Sequence, residues 1–278
     1  MKRLLFVALA ITFLTGAYAT AQMAVFIDGA DFESYVSAPH DPCFFDEDLC
    51  CPFTFESWFK PFDSQGERMI LNKEDHWESA NKDGLFQSAI AGANDQGKNN
   101  GWAWENSGLG VGVNVWNHGA VVWDPPKVHM FLNGKQGDDG EHAGQQLAWA
   151  HEDTFKMGRR ERGGATHSVY HGLIDEVRIS KGARYTGDYD MPKEEWTPDA
   201  DTRALYHLNE VEGAATIVNF AKEGGHAKPC PDAVLEGAVE LWDVGHGSGH
   251  EQPFEPFAVE PGGKMTTTWG HVKERSVR

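Results

Sequence analysis

Aromatic side chains next to amides are the first feature of this sequence that could bind a ligand. Trp102 and Trp104 are two residues apart and share a face if the segment is extended, and Asn106 lies close by. Flat aromatic faces pack on sugar rings, while amide groups bond to hydroxyls. The segment therefore predicts a carbohydrate-binding surface. The alternative is that most of the ten tryptophans fill the space between sheets, with Trp58 and Trp242 foremost.

A second feature is a carboxylate within an apolar strand. By strict alternation, Asp175 shares a face with three apolar residues, Leu173, Val177 and Ile179. Because burying an unpaired charge is costly, Asp175 should be paired, hydrogen bonded or bound to a cation. Asp28 lies in an Asp-Gly turn. In the alternative without a metal, Asp28 caps its own turn and Asp175 accepts backbone N–H bonds in a bulge.

Complete catalytic motifs are missing from the sequence. It contains neither Gly-x-Ser-x-Gly nor His-Glu-x-x-His. Asp175 and Glu176 are adjacent, so an ordinary strand directs their side chains to opposite faces. Glycoside hydrolysis needs two facing carboxyl groups about 5–9.5 Å apart. We therefore expect a protein that is not an enzyme.

Short strands are the elements that must position these residues. Phe53 to Lys60 alternates between apolar and other residues before Pro61, and Val128 to Leu132 precedes the Asn133-Gly134 turn. Sustained helical periodicity is absent, and 31 glycines punctuate the chain. This pattern predicts an all-β protein, a two-sheet antiparallel jelly-roll sandwich.

The charge balance and the first residues indicate export. Met1-Lys2-Arg3, the apolar run from Leu4 to Leu14 and the small residues that follow resemble a signal peptide over residues 1–21. Its removal changes the net charge from −18 to −20, because Lys2 and Arg3 leave 22 basic against 42 acidic residues. Such a chain repels phosphate backbones, so nucleic acid is not an expected partner. We expect a secreted or periplasmic protein without a transmembrane segment.

All four cysteines lie after the predicted signal peptide; they are Cys43, Cys50, Cys51 and Cys230. Export predicts disulfides, and no Cys-x-x-Cys spacing favours a zinc site. A bridge between the adjacent Cys50 and Cys51 is disfavoured, because neighbouring Cα atoms are only about 3.8 Å apart. Cys43 is then expected to pair with one of these two, and the other with Cys230. The sequence does not choose between the two arrangements.

Five strings occur in an order that suggests a family. They are Phe53–Pro61, Ile70–Lys73, Val128–Lys135, Phe155–Arg160 and Gly172–Ser180. Together they resemble the LamG-like (laminin-G-type) jelly roll of the concanavalin A-like lectin and glucanase superfamily, over roughly residues 26–242.

The resemblance differs from the family pattern at the C-terminus. Segments similar to Ala204–Glu210 and Leu235–Trp242 commonly precede the part matched by Phe26 to Gly29, whereas here they follow it. We therefore expect a permuted strand order in which the C-terminal segment closes the sandwich. The Glu-x-Asp-x-x-Glu string of the superfamily's glucanases is absent.

The resemblance also implies a function and a metal. Relatives often hold calcium at the rim of the sandwich, which makes Asp28 and Asp175 candidate ligands. We expect a domain over residues 22–245 and a C-terminal tail over 246–278, for which an added edge strand is one role. The expected function is non-catalytic binding of an extracellular glycan or glycoprotein surface, assisted by calcium. A protein-interaction or envelope-scaffold module and a divergent polysaccharide-active enzyme are the alternatives.

Overall fold

The structure is a computed structural model. It describes residues 22–46, 49, 51–93, 99–142, 146–147, 152–162 and 165–244. The predicted signal peptide and the tail over 246–278 lie outside the described residues, and so does Cys50.

Short antiparallel strands make up nearly all of the regular structure. The strands are β1 (Met23–Ile27), β2 (Tyr35–Ala38), β3 (Phe53–Pro61), β4 (Glu67–Lys73), β5 (Trp77–Lys82), β6 (Leu85–Ala93), β7 (Asn99–Gly110), β8 (Asn117–Asp124), β9 (Lys127–Leu132), β10 (Lys135–Gln136), β11 (Gly140–Glu141), β12 (Gln146–Leu147), β13 (Phe155–Met157), β14 (Arg160–Arg162), β15 (Ala165–His167), β16 (Gly172–Lys181), β17 (Thr202–Tyr206), β18 (Thr216–Ile217), β19 (Ala233–Glu236) and β20 (Glu240–Asp243). Two short 3₁₀ helices, Pro42–Phe44 and Phe220–Gly224, complete the regular elements of the described chain.

Two sheets form a sandwich, which confirms the predicted fold class. The first sheet has the order β10-β9-β8-β3-β16-β1-β20, with β11 beside β9 and β17 beside β16. The second has the order β12-β6-β5-β4-β13-β2-β19-β18, with β7 beside β6. Strands β14 and β15 pair with each other in a separate two-stranded sheet.

The main core lies between the two sheets. Phe53, Phe55 and Phe59 alternate along β3 into it, as the sequence pattern predicts. The Phe55 ring lies 4.6 Å from the Trp77 ring of the second sheet, measured between centroids. Trp77 and Trp123 are the fully buried tryptophans of the described chain.

The two tryptophans expected in that core lie elsewhere. Trp58 is buried, but it packs with Trp196 and Leu205 on the other face of the first sheet. Trp242 is only partly buried and stacks on Phe26 at a centroid distance of 4.3 Å. Both residues alternate out of the main core because their strands place the neighbouring residues inside it.

The C-terminal segment closes both sheets, as expected from the permuted order. Strand β20 pairs with β1, with Leu241 opposite Val25. Strand β19 pairs with β2, with Leu235 opposite Val36. These pairings satisfy the backbone groups of two N-terminal strands that would otherwise present open edges.

The disulfide pairing predicted from the sequence is wrong. Cys43 is bonded to Cys230, with their Cα atoms 5.3 Å apart. Cys51 is also disulfide-bonded. The prediction failed because the short 3₁₀ helix that contains Cys43 lies directly against the C-terminal segment. Arg203 joins the two segments: its guanidinium donates a hydrogen bond to the Asp46 carboxylate, and its backbone carbonyl accepts one from the Cys230 N–H.

A long connection buries the other face of the first sheet. This covering segment comprises residues 182–201, and its Tyr185 and Tyr189 pack on β8 and β9. The Tyr185 hydroxyl donates to Glu56 over 2.6 Å. Burial alone would raise the pKa of Glu56, but the Arg178 guanidinium and the His118 hydrogen bond lower it to about 2. The covering segment therefore buries the outer face of β8 and β9. Outward residues in the middle of the second sheet, Asn72, Glu78 and Ser88, are buried as well.

Candidate functional site

Trp102 and Trp104 lie on the outer face of the second sheet, on β7. In the pairing of β7 with β6, Trp102 is opposite Ala91 and Trp104 is opposite Ala89. Ile90, between the two alanines, points into the core, so both tryptophans point outward. The small alanines leave room for the large rings, and Trp102 packs on Ala91. Both tryptophans are half-buried, so part of each ring is open to solvent.

Asn106 continues the same face toward the end of β7. It lies opposite Gln87 on β6 and is exposed. Its side-chain oxygen accepts the Gly108 N–H over 2.9 Å, which holds the amide near the strand end. The structure therefore brings together the three residues that the sequence singled out for carbohydrate binding.

Two cations lie against the tryptophan rings. The Arg160 guanidinium is 5.6 Å from the Trp102 ring centroid. The Lys82 ammonium is 4.9 Å from the Trp104 ring centroid and 3.1 Å from a carboxylate oxygen of Glu67. Cation–π contacts of this kind orient the rings, and the partly exposed Lys82 adds hydrogen-bond donors to the surface. No local sequence pattern marks either cation, because both are brought to β7 from other elements of the chain.

A buried polar cluster supports this surface. Glu74 accepts two hydrogen bonds from Arg160, one from Nε over 2.9 Å and one from Nη2 over 3.0 Å. The Asn72 amide donates to both Glu74 and Glu78, over 3.1 Å and 2.5 Å. The Arg160 Nε also lies 3.2 Å from Glu78 Oε1. The cluster fixes the guanidinium on which Trp102 rests.

The two carboxyl groups of the cluster have opposite pKa shifts. Burial opposes ionisation of Glu74, but the Arg160 hydrogen bonds lower its pKa. Burial raises the pKa of Glu78 well above its usual range, Arg160 opposes that shift, and Glu74 adds to it. Glu78 Oε2 is buried and receives no donor from the described residues. We therefore assign a proton to the Glu78 carboxyl group, which is hydrogen bonded to Glu74.

This arrangement differs from that of a glycoside hydrolase. Glu74 and Glu78 are hydrogen bonded to each other, whereas hydrolysis requires carboxyl groups about 5 Å or more apart on either side of the sugar. Glu78 is also fully buried, so it cannot reach a glycosidic bond. The cluster therefore acts as a support for the binding surface.

The two acids predicted to bind calcium are not brought together. Ile27 lies opposite Gly172, and the register continues to Val25 opposite Ile174. This register places Asp28 level with residue 171, four residues before Asp175. The two acids are therefore about 13 Å apart along the strands, at about 3.3 Å for each residue. Asp28 is exposed and accepts the Ala30 N–H over 3.0 Å, as a turn cap does.

A β-bulge overturns the alternation expected around Asp175. The pairing with β3 shifts between Asp175 and Val177, and Glu176 adopts a φ of 44°. Val177 and Ile179 therefore face the core, whereas Leu173 packs on the opposite face of the first sheet. The extra residue of a bulge changes which side chains share a face.

The bulge also creates a cluster of acidic and histidine side chains that the sequence did not reveal. Both adjacent acids, Asp175 and Glu176, are buried, at 3% and 0% exposure. Glu176 Oε1 lies 2.5 Å from His207 Nδ1, and Glu195 is nearby. The sequence shows His207 within the segment Ala204–Glu210, but no sequence pattern indicates that this histidine contacts Glu176.

The architecture defines the class of protein. Two antiparallel sheets enclosing one core make a jelly-roll sandwich of the concanavalin A-like type. The chain belongs to the laminin G-type family described as the concanavalin A-like lectin/glucanases superfamily, whose family model matches residues 28–187. No curated protein sequence matches the chain.

Solved structures share the fold at low sequence identity. A Bacteroides ovatus protein, provisionally assigned as carbohydrate-binding, is 15% identical with a TM-score of 0.56, over 80% of this chain and 60% of its own length. The chain thus spans less than two thirds of that protein. A carbohydrate-binding domain of a Ruminococcus gnavus sialidase, solved with sialyllactose, is 11% identical with a TM-score of 0.42, over 60% of this chain and 95% of its own. LG domains of the mouse laminin α1 chain are 13% identical with a TM-score of 0.44, over 64% and 48%.

The described residues include two short helices, Pro42–Phe44 and Phe220–Gly224. None of the helices in these residues has the length and apolar character needed to cross a bilayer.

Proposed function

We propose that this protein is a secreted, non-catalytic module that binds carbohydrate or glycosylated surfaces through the outer face of β7. The observation that carries the proposal is the pair of half-exposed tryptophans, Trp102 and Trp104, on one face of a strand. Sugar rings offer C–H faces that pack on such rings, and Asn106 and Lys82 supply donors for hydroxyl groups.

Rigidity of the surface supports the same proposal. Both tryptophans lie on a paired strand rather than a loop, and their cations are held by buried or partly buried carboxylates. A preorganised surface loses little side-chain entropy when a ligand binds. Secretion fits the oxidised Cys43 and Cys230, because disulfides persist in oxidising compartments.

A glycan array followed by calorimetry tests this function. Loss of about 50–100 Å² of apolar contact costs about 1.3–2.5 kcal/mol. Trp102→Ala and Trp104→Ala should therefore each weaken binding of a retained glycan by about tenfold or more. Trp242→Ala removes a similar ring from the first sheet and should leave the affinity unchanged.

Two outcomes would count against this proposal. One is that no glycan is retained in a saturable way that free sugar blocks; selective capture of a protein partner would then favour the interaction-module alternative. The other is that both tryptophan variants bind as well as the unmodified protein. Repeating the array with EDTA tests the expectation of calcium assistance separately.

A further inference from the structure

Three elements distant in the sequence bring metal-binding side chains together above the first sheet. Glu176 lies at the bulge of β16, and His207 immediately follows β17, which pairs with β16 with Tyr206 opposite Val177. Glu195 comes from the covering segment. One ligand atom from each of Glu176, Glu195 and His207 can be chosen so that all three lie within 4.8 Å of one another.

The three side chains are held in place by further hydrogen bonds. The Trp196 N–H donates to Glu176 Oε2 over 3.2 Å, which ties the covering segment to the bulge. The Asn209 amide donates to Glu195 over 2.8 Å. Glu176 is fully buried, His207 is mostly buried, and Glu195 is exposed. The cluster is therefore buried on the side of Glu176 and open to solvent on the side of Glu195.

The charges around the cluster do not balance. Asp175 is buried beside it, and among the described residues its hydrogen-bond partner is the Glu176 N–H at 2.8 Å. Glu210 has a buried oxygen, Oε2, with no partner among the described residues. Within the described chain, no lysine or arginine forms an ion pair with Asp175, Glu176, Glu195 or Glu210. A single imidazole thus faces four carboxyl groups, two of them buried.

Buried carboxylates are normally paired with cations or bound to metals. A divalent ion would supply two positive charges and take the place of the proton that His207 Nδ1 and Glu176 share. The donor set decides which ion fits. Imidazole nitrogen with carboxylate oxygen suits zinc and similar transition ions, whereas calcium takes six to eight oxygen ligands.

We propose that Glu176, Glu195 and His207 bind one divalent transition ion of the Zn²⁺ type. Bound there, the ion fastens the covering segment to the first sheet, because Glu195 belongs to that segment and the other two ligands to sheet strands or their ends. The site lies on the opposite sheet from Trp102 and Trp104. It is independent of the proposed glycan-binding function.

Calorimetric titration of the EDTA-stripped protein with Zn²⁺ tests the site. The expected result is one saturable site, weakened at least about tenfold by Glu195→Gln. Glu194→Gln is the matched control, since it changes the adjacent exposed carboxylate, and it should bind as the unmodified protein does. Because Glu195 is exposed, its substitution should leave the fold intact, which circular dichroism verifies.

A thermal measurement provides the second readout. Zn²⁺ should raise the melting temperature of the unmodified protein and of Glu194→Gln, and raise it much less for Glu195→Gln. His207→Gln should behave as Glu195→Gln does. Absence of saturable Zn²⁺ binding, or binding that Glu195→Gln and His207→Gln retain in full, overturns the proposal. Tighter binding of Ca²⁺ than of Zn²⁺ overturns the assignment of the ion.

Discussion

The two carboxyl groups beneath Trp102 should respond in opposite ways to the same substitution. Arg160 carries one positive charge, and both Glu74 and Glu78 are buried next to it. Since one guanidinium does not neutralise two buried carboxylates, we expect Glu74 to be ionised and Glu78 to be protonated at pH 7. Glutamine resembles a protonated glutamate in shape, charge and donor capacity.

Glu78→Gln should therefore be nearly neutral. Its amide can donate toward Glu74 where the carboxyl proton now lies, and its oxygen can still accept from Asn72. The cost should stay below about 1 kcal/mol, the net value of one hydrogen bond. Glu74→Gln should cost about 3 kcal/mol, because it removes the charge that Arg160 contacts over 2.9 and 3.0 Å.

That cost lies at the low end for breaking a buried ion pair. Arg160 keeps a weaker contact with Glu67 at 3.8 Å, and Glu78 can ionise to replace the lost partner. For a chain of this size, a difference of about 2 kcal/mol corresponds to a difference in melting temperature of about 4–8 °C.

Thermal unfolding followed by circular dichroism at pH 7, with the disulfides intact, measures both variants. Urea unfolding provides the free energies independently. Glu67→Gln is the matched control, since Glu67 is partly exposed and should lose less than about 1 kcal/mol. Equal losses in the two variants, or a greater loss in Glu78→Gln, would refute the assignment of the proton to Glu78.

Three further predictions follow from the remaining structure. Glu56 has a folded-state pKa of about 2 against an ordinary 4.5, so its contribution to the free energy of unfolding is complete above pH 4.5 and is lost as the pH falls toward 2. Glu56→Gln should therefore flatten this part of the profile of stability against pH. Replacing Cys43 and Cys230 together by serine opens a loop of 187 residues and should cost about 4–5 kcal/mol in urea unfolding. Gly172→Ala should cost about 2 kcal/mol or more by the same assay, because a Cβ would meet the Lys60 carbonyl oxygen at 2.2 Å where φ is +146°.

Local patterns were sufficient to predict the sandwich and the face of β7. Alternation along Phe53–Pro61 and the turn at Asn133-Gly134 depend on neighbours in the chain, and both are confirmed. Trp102 and Trp104 share a face for the same reason, since two residues are one period of a strand. Closure by the C-terminal segment was also predictable, from the order of the family-like strings.

Only the tertiary structure decided which distant residues meet. A single extra residue at Glu176 changed the faces of β16, and no local pattern marks a bulge of that kind. The contacts of Arg160 with Glu74, of Glu176 with His207, and of Cys43 with Cys230 join positions separated by 86, 31 and 187 residues. The sequence by itself determined the elements and their faces because these depend on local backbone periodicity. Partners across the sheets depend on register and connection paths, which exist only after the chain has folded.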